Sequence, residues 1–435
     1  MSTSCGYHRD WGVNEMSATP TLDARASVGW LRRFARTTPG VVGLVAIVVA
    51  ASCVIAGVVV GGQLDGRIAE ADSVLDRSEP FAYSAQKLYA ALSAADAAAA
   101  TEYLSGGLET VAMRSRYQQA LADAAEALTD ATLGATDADT RTALAQISAD
   151  LTAYTGQVES ARANNRQVFT VGAAYFREAS SLMQTSMLPS AERIYTGGLA
   201  AVNEDQDAVG ALPIVGLVLL VIVLVVIAAG SLILIGRTNR QFNRGLVGAA
   251  IAVVLVIGWI VVANRFSAAN IEQSRNEGTA KFEKLADARV VAQKARTDET
   301  LQLISRGDIT AGEKTFNEHL GQLSASLDEG PAAAADAVLN WTASHRKQVE
   351  LYQNADYQGA VTQAIGGAPD GSAAQFAAVE SSLNDAIEQT RATLRDDVSK
   401  AGARLAWSPT GTLVLMVIAA AAAVAGLWPR LKEFL

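Results

Sequence analysis

Four polar residues, Arg162, Asn164, Asn165 and Arg166, form the group in this sequence that is best suited to bind something. Guanidinium groups hold carboxylates through paired hydrogen bonds, and asparagine amides both donate and accept. Asn165 also falls on a row of apolar residues at helical spacing, where an asparagine can fix the register of packed helices instead. Both interpretations stay open: a ligand or partner contact, and a register-setting contact.

The other reactive residue types give no pattern for catalysis or metal binding. The three histidines, His8, His319 and His345, are far apart in sequence, and no two have metal-ligand spacing. The sequence contains no phosphate-binding glycine loop, no Gly-x-Ser-x-Gly and no kinase signature. We therefore expect a protein that is not an enzyme and uses neither a metal nor another cofactor.

Four long stretches without a charged residue dominate the chain. A membrane-spanning helix needs about 20 mostly apolar residues, whereas apolar runs in soluble proteins are usually shorter. The first stretch is also too long for the apolar region of a cleaved signal peptide. The sequence therefore predicts transmembrane helices at residues 39–62, 211–236, 245–264 and 409–428. None contains a charged residue or a histidine, which is unusual for a transporter.

Arginines beside the spans predict the orientation. Arg237, Arg240 and Arg244 occupy the short loop 237–244 between the second and third spans. Basic residues also precede the first span and follow the fourth. Because positive charge concentrates on the cytoplasmic side, we expect a multi-pass plasma-membrane protein whose tails, 1–38 and 429–435, are cytoplasmic along with this loop.

The two long polar segments, residues 63–210 and 265–408, are then extracytoplasmic. Both are acidic, and the whole chain has a net charge of −9, which argues against a nucleic-acid partner. Neither segment contains a cysteine, so each must be stable through packing alone. We expect residues 65–207 to fold as a soluble helical bundle when they are expressed alone.

Apolar residues at heptad-like spacing predict a four-helix bundle in each outer segment. In the first, this spacing runs without a break from Leu144 to Leu182, which predicts a third helix about 60 Å long that ends before Pro189. The second segment repeats the plan. We interpret the chain as an all-α integral membrane protein made by duplication of a span–bundle–span unit, with two extracytoplasmic four-helix-bundle domains.

Three stretches of the first outer segment, Val158–Gln167, Val171–Ser180 and Leu188–Ala191, are similar to the GlnX family. These are actinobacterial four-span membrane proteins of an amino-acid-sensing pathway, and the plan of nearly the whole chain resembles theirs. The resemblance implies two partners besides membrane lipids. One is an extracytoplasmic, glutamine-binding-type solute-binding lipoprotein that captures aspartate or glutamate. The other is a cytosolic Ser/Thr protein kinase.

The short cytoplasmic pieces also predict a separate cytosolic partner, because they are too small to contain an output domain. We expect a sensor that relays an outside signal to a separate cytosolic protein, by a shift of the first and third bundle helices along their apolar faces. Two alternatives stay open: a direct small-molecule sensor with chemoreceptor-like bundles, and a non-signalling scaffold of the cell envelope. A homodimer is also left open.

Overall fold

The structure, a computed structural model, describes residues 37–106, 110–167, 171–238, 243–328 and 330–432. In these ranges it is helical and contains no strand, so the all-α prediction is confirmed. In chain order the helices are α1 (Thr38–Ser73), α2 (Glu79–Leu104), α3 (Val111–Gly134), α4 (Ala138–Arg166), α5 (Val171–Leu182), α6 (Leu188–Gly210), α7 (Ile214–Thr238), α8 (Arg244–Gln273), α9 (Ala280–Ser305), α10 (Thr310–Ser326), α11 (Ala332–Gln353), α12 (Tyr357–Ile365), α13 (Ser372–Leu405) and α14 (Ser408–Lys432).

Four helical stretches are long and apolar enough to cross a membrane, as the sequence predicts. The predicted spans fall in α1, α7, α8 and α14. Most of the predicted N-terminal tail lies outside the described residues, as do residues 239–242 of the loop between the second and third spans and residues 433–435 of the C-terminal tail.

Contacts divide the described residues into two compact units. One comprises those within Met1–Val58, Val218–Val256 and Leu413–Leu435, and therefore parts of all four spans. Its helices approach closely through glycine: a Cβ atom built on Gly245 would lie only 2.5 Å from the Cα atom of Gly426. Small residues that let backbones approach are a usual device for packing membrane helices.

The second unit comprises Val59–Leu217 and Ile257–Thr412, and so unites the two outer segments. Their buried apolar side chains form one continuous core. The Glu79 carboxylate of α2 is buried and accepts hydrogen bonds from Arg391 (2.6 Å) and Arg395 (2.8 Å) of α13. The division into two separate bundle domains thus stays a prediction, while the helices of both segments pack into a single unit.

The two halves of the chain repeat one unusual helical plan. In each, the first span continues into an outer helix through a wider π-helical turn, at Val74–Ser78 and at Ser274–Thr279. In each, the backbone leaves the helix briefly before the last span, at residues 211–213 and 406–407. Pro80, which could interrupt a helix, is the second residue of α2 and lies just after the first π turn. Widening there relieves the clash between a proline ring and the preceding turn.

The predicted 60 Å third helix is wrong. Helix α4 ends at Arg166, and α5 begins at Val171 and packs back against α4. Gly172 permits this approach, because a Cβ atom there would lie 3.1 Å from the carbonyl oxygen of Ala161. The apolar spacing continues through the break because both helices face the same core. Pro189 ends no helix, since it lies at the start of α6 after a third π turn.

Candidate functional site

The candidate site lies where the end of α2, the end of α4 and the start of α5 meet. Three of the four predicted residues, Arg162, Asn165 and Arg166, line a cleft there, which we call the α4 cleft. Its other lining residues are Ala99, Glu102, Tyr103, Val158, Ala161 and Phe176. The fourth predicted residue, Asn164, is not among them, and its amide donates to the Ser160 carbonyl of its own helix (2.8 Å).

Arg162 is held by other groups of the protein. Its guanidinium pairs with the buried Glu102 of α2 and with Glu159 of α4 (2.7 Å). It also lies 5.5 Å from the centre of the Tyr117 ring of α3, within range of a cation–π contact. Arg162 therefore links three helices, and a ligand would have to compete with Glu102 for it.

Asn165 contacts backbone rather than a facing side chain. Its Nδ2 donates to the carbonyl oxygen of Tyr103 at 2.9 Å, near the end of α2. This carbonyl also accepts a hydrogen bond from the Gly106 amide (3.2 Å), so the Asn165 amide is a further donor at the end of α2. Arg166 beside it is exposed. Whether these residues bind a ligand or a partner stays a prediction.

The α4 cleft is small. Its empty volume is about 340 Å³, but only about 20 Å³ of this can hold the centre of a water molecule. That space has room for about one water molecule. Any larger ligand would need α5 to move away from α4, or would have to bind on the open side beside Arg166.

A buried carboxylate, Asp96, lies one turn of α2 before the cleft. Its two oxygens accept hydrogen bonds from Tyr154 (3.2 Å), Ser180 (2.9 Å) and Gln184 (3.1 Å), all uncharged donors. Burial raises the pKa of Asp96, and the three hydrogen bonds only partly offset this. Helical spacing puts Asp96 in the row of apolar residues along α2, and an acid in such a row is the signal that the sequence offers for a buried carboxylate.

The second outer segment also has a buried carboxylate, Glu299 of α9. It pairs with Arg296 of α9, accepts a hydrogen bond from Trp341 (3.1 Å), and lies 3.0 Å from His345 Nδ1. Glu313 of α10 lies 3.0 Å from the other ring nitrogen of His345. These residues form what we call the Glu299 cluster. Trp341 and His345 are four residues apart on α11, but nothing in the sequence reveals the acids that face them.

Charges set the pKa values in the Glu299 cluster. Burial by itself raises the pKa of Glu299, but Arg296 and the hydrogen bond with His345 outweigh it and lower the pKa to about 2. Burial by itself lowers the pKa of His345, but the hydrogen bonds with Glu299 and Glu313 raise it to about 9. Two buried cations and two acids therefore neutralise one another at neutral pH.

The three arginines of the predicted cytoplasmic loop are only partly described. Arg237 lies near the end of α7 and Arg244 is the first residue of α8. Arg240 lies outside the described residues. Their predicted role in topology and signalling stays a prediction.

Comparison with known proteins bears on the first outer segment. Residues 70–207 match the family model described as an actinobacterial sensor domain. No curated protein and no solved structure matches the chain. The matched residues include the α4 cleft and Asp96. The match does not test the specific resemblance to GlnX, which stays a prediction. The first outer segment is thus similar to an actinobacterial sensor domain.

Proposed function

We propose that this protein is a transmembrane sensor that detects a signal outside the cell and relays it to a separate cytosolic protein. The observation that carries the proposal is the match of residues 70–207 to an actinobacterial sensor domain, in a chain with four helices apolar enough to span a membrane. In this proposal a separate cytosolic partner carries the output. The protein acts by binding and displacement rather than by catalysis.

The proposed signal and partners come from the resemblance to GlnX. A glutamine-binding-type lipoprotein brings aspartate or glutamate to the outer segments, and a cytosolic Ser/Thr protein kinase binds the inner pieces. Arg237, Arg240 and Arg244 provide basic groups for that inner contact and keep the loop in the cytoplasm.

Displacement along α1 and α2 is the proposed route of the signal. The sequence predicts that a long third bundle helix shifts as well. That helix does not exist as one piece, because α4 ends at Arg166. The first span, by contrast, continues into α2 through the turn Val74–Ser78. A π turn accommodates one more residue than an α-helical turn. Converting it to α-helix therefore moves the chain beyond the turn along the helix axis by about 1.5 Å, the rise of one residue. Such turns often occur at functional sites.

Crosslinking and pull-down from membranes tests the relay. The full chain is captured after crosslinking with and without added aspartate or glutamate, and lysine serves as the control amino acid. We expect to recover a solute-binding lipoprotein and a Ser/Thr kinase, with the amount of kinase changed by the acidic amino acids alone. The relay is contradicted if neither partner is recovered, or if the amount of kinase does not change with the added amino acid. Either result favours the non-signalling scaffold.

Reporter fusions test the orientation on which the relay depends. Fusions at Asn239 should report a cytoplasmic position, and fusions at Gly134 and Gly367 an exterior one. An exterior signal at Asn239 would reverse the topology, and the kinase could then not reach its proposed binding site.

A direct small-molecule sensor is the second candidate. It is favoured by the α4 cleft, where Arg162, Asn165 and Arg166 line a space within the part that matches the sensor domain. Calorimetry with the purified full chain and aspartate or glutamate, without any lipoprotein, separates the candidates. Heat of binding that Arg166→Gln weakens supports direct sensing in the α4 cleft, and no such heat is expected there if a lipoprotein carries the ligand.

A further inference from the structure

Two clefts of similar size occupy corresponding places in the two outer segments. The first, which we call the Arg77 cleft, lies between the turn Val74–Ser78, the α3–α4 connection and α6, with an empty volume of about 760 Å³. The second, the Lys281 cleft, lies between the region of the turn Ser274–Thr279, the α10–α11 connection and α13, with about 900 Å³. Both are distinct from the α4 cleft.

The correspondence extends to single positions of the last outer helix. Arg193, Ile194 and Gly197 line the first cleft, and they stand 20, 19 and 16 residues before Pro213. Gln389, Thr390 and Thr393 line the second, at the same three separations from Pro409. The duplicated fold thus keeps the place of the cleft while its chemistry differs between the halves.

Two guanidinium groups without an acidic partner line the Arg77 cleft. Arg77 donates to the Ser73 hydroxyl, and Arg193 donates to the Pro189 carbonyl (3.4 Å) and the Ser190 hydroxyl (3.1 Å). In the described part of the chain neither forms an ion pair with a carboxylate. Ser78 adds a hydroxyl group that is 4% exposed and has no hydrogen-bond partner among the described residues.

Two carboxylates line the same cleft and balance this charge. Asp137 accepts a hydrogen bond from the amide of Thr140 (2.7 Å), and Asp205 accepts one from the Ser73 hydroxyl (2.9 Å). In each carboxylate these hydrogen bonds use one oxygen, and the second oxygen can accept a hydrogen bond from a ligand. Phe81 and Ile194 add apolar surface. A cleft with two cations, two anions and no net charge complements a molecule that carries both signs itself.

We propose that the Arg77 cleft binds a small zwitterion that carries a carboxylate and a protonated amine. Arg77 and Arg193 hold the carboxylate, the Ser78 hydroxyl donates a further hydrogen bond to it, and Asp137 and Asp205 accept from the ammonium group. The proposal rests on the proposed sensor function and gives it a ligand class. It does not require the lipoprotein or the α4 cleft.

Calorimetry on the full chain in lipid nanodiscs tests the site, with serine as the zwitterion, propionate as the carboxylate alone and propylamine as the amine alone. We expect serine to bind and the other two to bind at least tenfold more weakly. Arg77→Gln and Arg193→Gln should each weaken serine binding about 10–100-fold, since each removes a charge-assisted hydrogen bond. Arg193→Lys, which keeps the charge but not the paired donors, should give a smaller loss.

Controls separate the cleft from general charge effects and from the relay. Arg116→Gln removes an exposed arginine of α3 outside the cleft, and Lys281→Gln alters the corresponding cleft; both should bind serine normally. Absence of serine binding, equal binding of propionate, or unchanged binding by Arg77→Gln and Arg193→Gln overturns the proposal. Kinase recruitment that persists in these variants would leave the relay through a lipoprotein intact.

Discussion

Asp96 and Glu299 lie on corresponding helices of the two outer segments, and both carboxylates are buried, yet their surroundings are opposite. Asp96 receives hydrogen bonds only from uncharged donors, so burial dominates and its pKa is raised. Glu299 has Arg296 and His345 beside it, and its pKa falls to about 2. Burial alone therefore does not decide whether an acid is charged inside a helical bundle; the charge of its neighbours does.

The difference suggests unlike roles for the two segments. The Glu299 cluster is a neutralised network that joins α9, α10 and α11 and is costly to break. Asp96 is a buried carboxyl group without a counter-ion among the described residues, inside the segment similar to a sensor domain. Its ionisation therefore depends on burial and on its hydrogen bonds and not on a neighbouring charge.

The largest expected effect is from Glu299→Gln. This change leaves Arg296 and the charged His345 buried without their shared acid, so we expect a loss of about 3–5 kcal/mol in the free energy of unfolding. Thermal unfolding of the full chain in detergent measures it. Glu318→Gln, which alters an exposed pair with Lys314, should cost less than about 1 kcal/mol. Equal losses of unfolding free energy in the two variants would show that the Glu299 cluster stabilises the fold no more than an exposed ion pair does.

The pH dependence of stability tests the same cluster. His345 has a pKa of about 9 in the folded protein, above its ordinary value of 6.5. Its contribution to the stability of the fold is therefore complete below pH 6.5 and is lost as the pH rises through 9. In that window stability should fall by up to about 1.4 kcal/mol for each pH unit. Glu299 has a lowered pKa, so its contribution is complete above pH 4.5 and is lost as pH falls through about 2.

His345→Gln should remove the alkaline part of this profile, because glutamine does not titrate. His319→Gln is the matched control, since His319 is less buried and bonds Asp298 at 2.7 Å. Unfolding temperatures recorded from pH 6 to pH 9 make the comparison. A slope that survives in His345→Gln would assign it to other groups.

Asp96→Asn should have the opposite sign to Glu299→Gln at neutral pH. A raised pKa means that Asp96 contributes most to stability below its unfolded pKa and that this contribution is lost as pH rises through the folded value. Asparagine keeps the size and can still bond Tyr154, Ser180 and Gln184 without a buried charge. We expect a gain of about 1 kcal/mol at pH 7. A loss of several kcal/mol would show that these donors require a carboxylate.

The smallest expected effect is from Asn165→Leu. The change removes the hydrogen bond to the Tyr103 carbonyl and should cost about 1 kcal/mol. The apolar spacing taken alone predicts a gain instead, because leucine would continue the row of apolar residues on this face. Asn164→Leu, which removes a bond within α4 only, is the control in the same unfolding measurement. Greater stability of Asn165→Leu would restore the register interpretation.

The sequence by itself determined the features that depend on local chemistry. The four spans follow from uninterrupted apolar composition, and the ends of α2 and α9 follow from glycine-containing turns. Gly106 and Gly307 indeed have positive φ angles of 66° and 111°. Glycine reaches such angles without a steric cost, so these helix ends can be predicted from a few residues.

Tertiary structure alone decided which charges meet. Arg296 and Glu299 are three residues apart, but His345, Glu313 and Trp341 reach them only through packing of α10 and α11. Asp96 likewise meets Tyr154 of α4, Ser180 of α5 and Gln184 of the π turn that follows α5. Apolar spacing also could not reveal the break between α4 and α5, because helical period records which face is buried and not where the chain turns. Local residue types set the helices, and long-range contacts set the charge state of what lies between them.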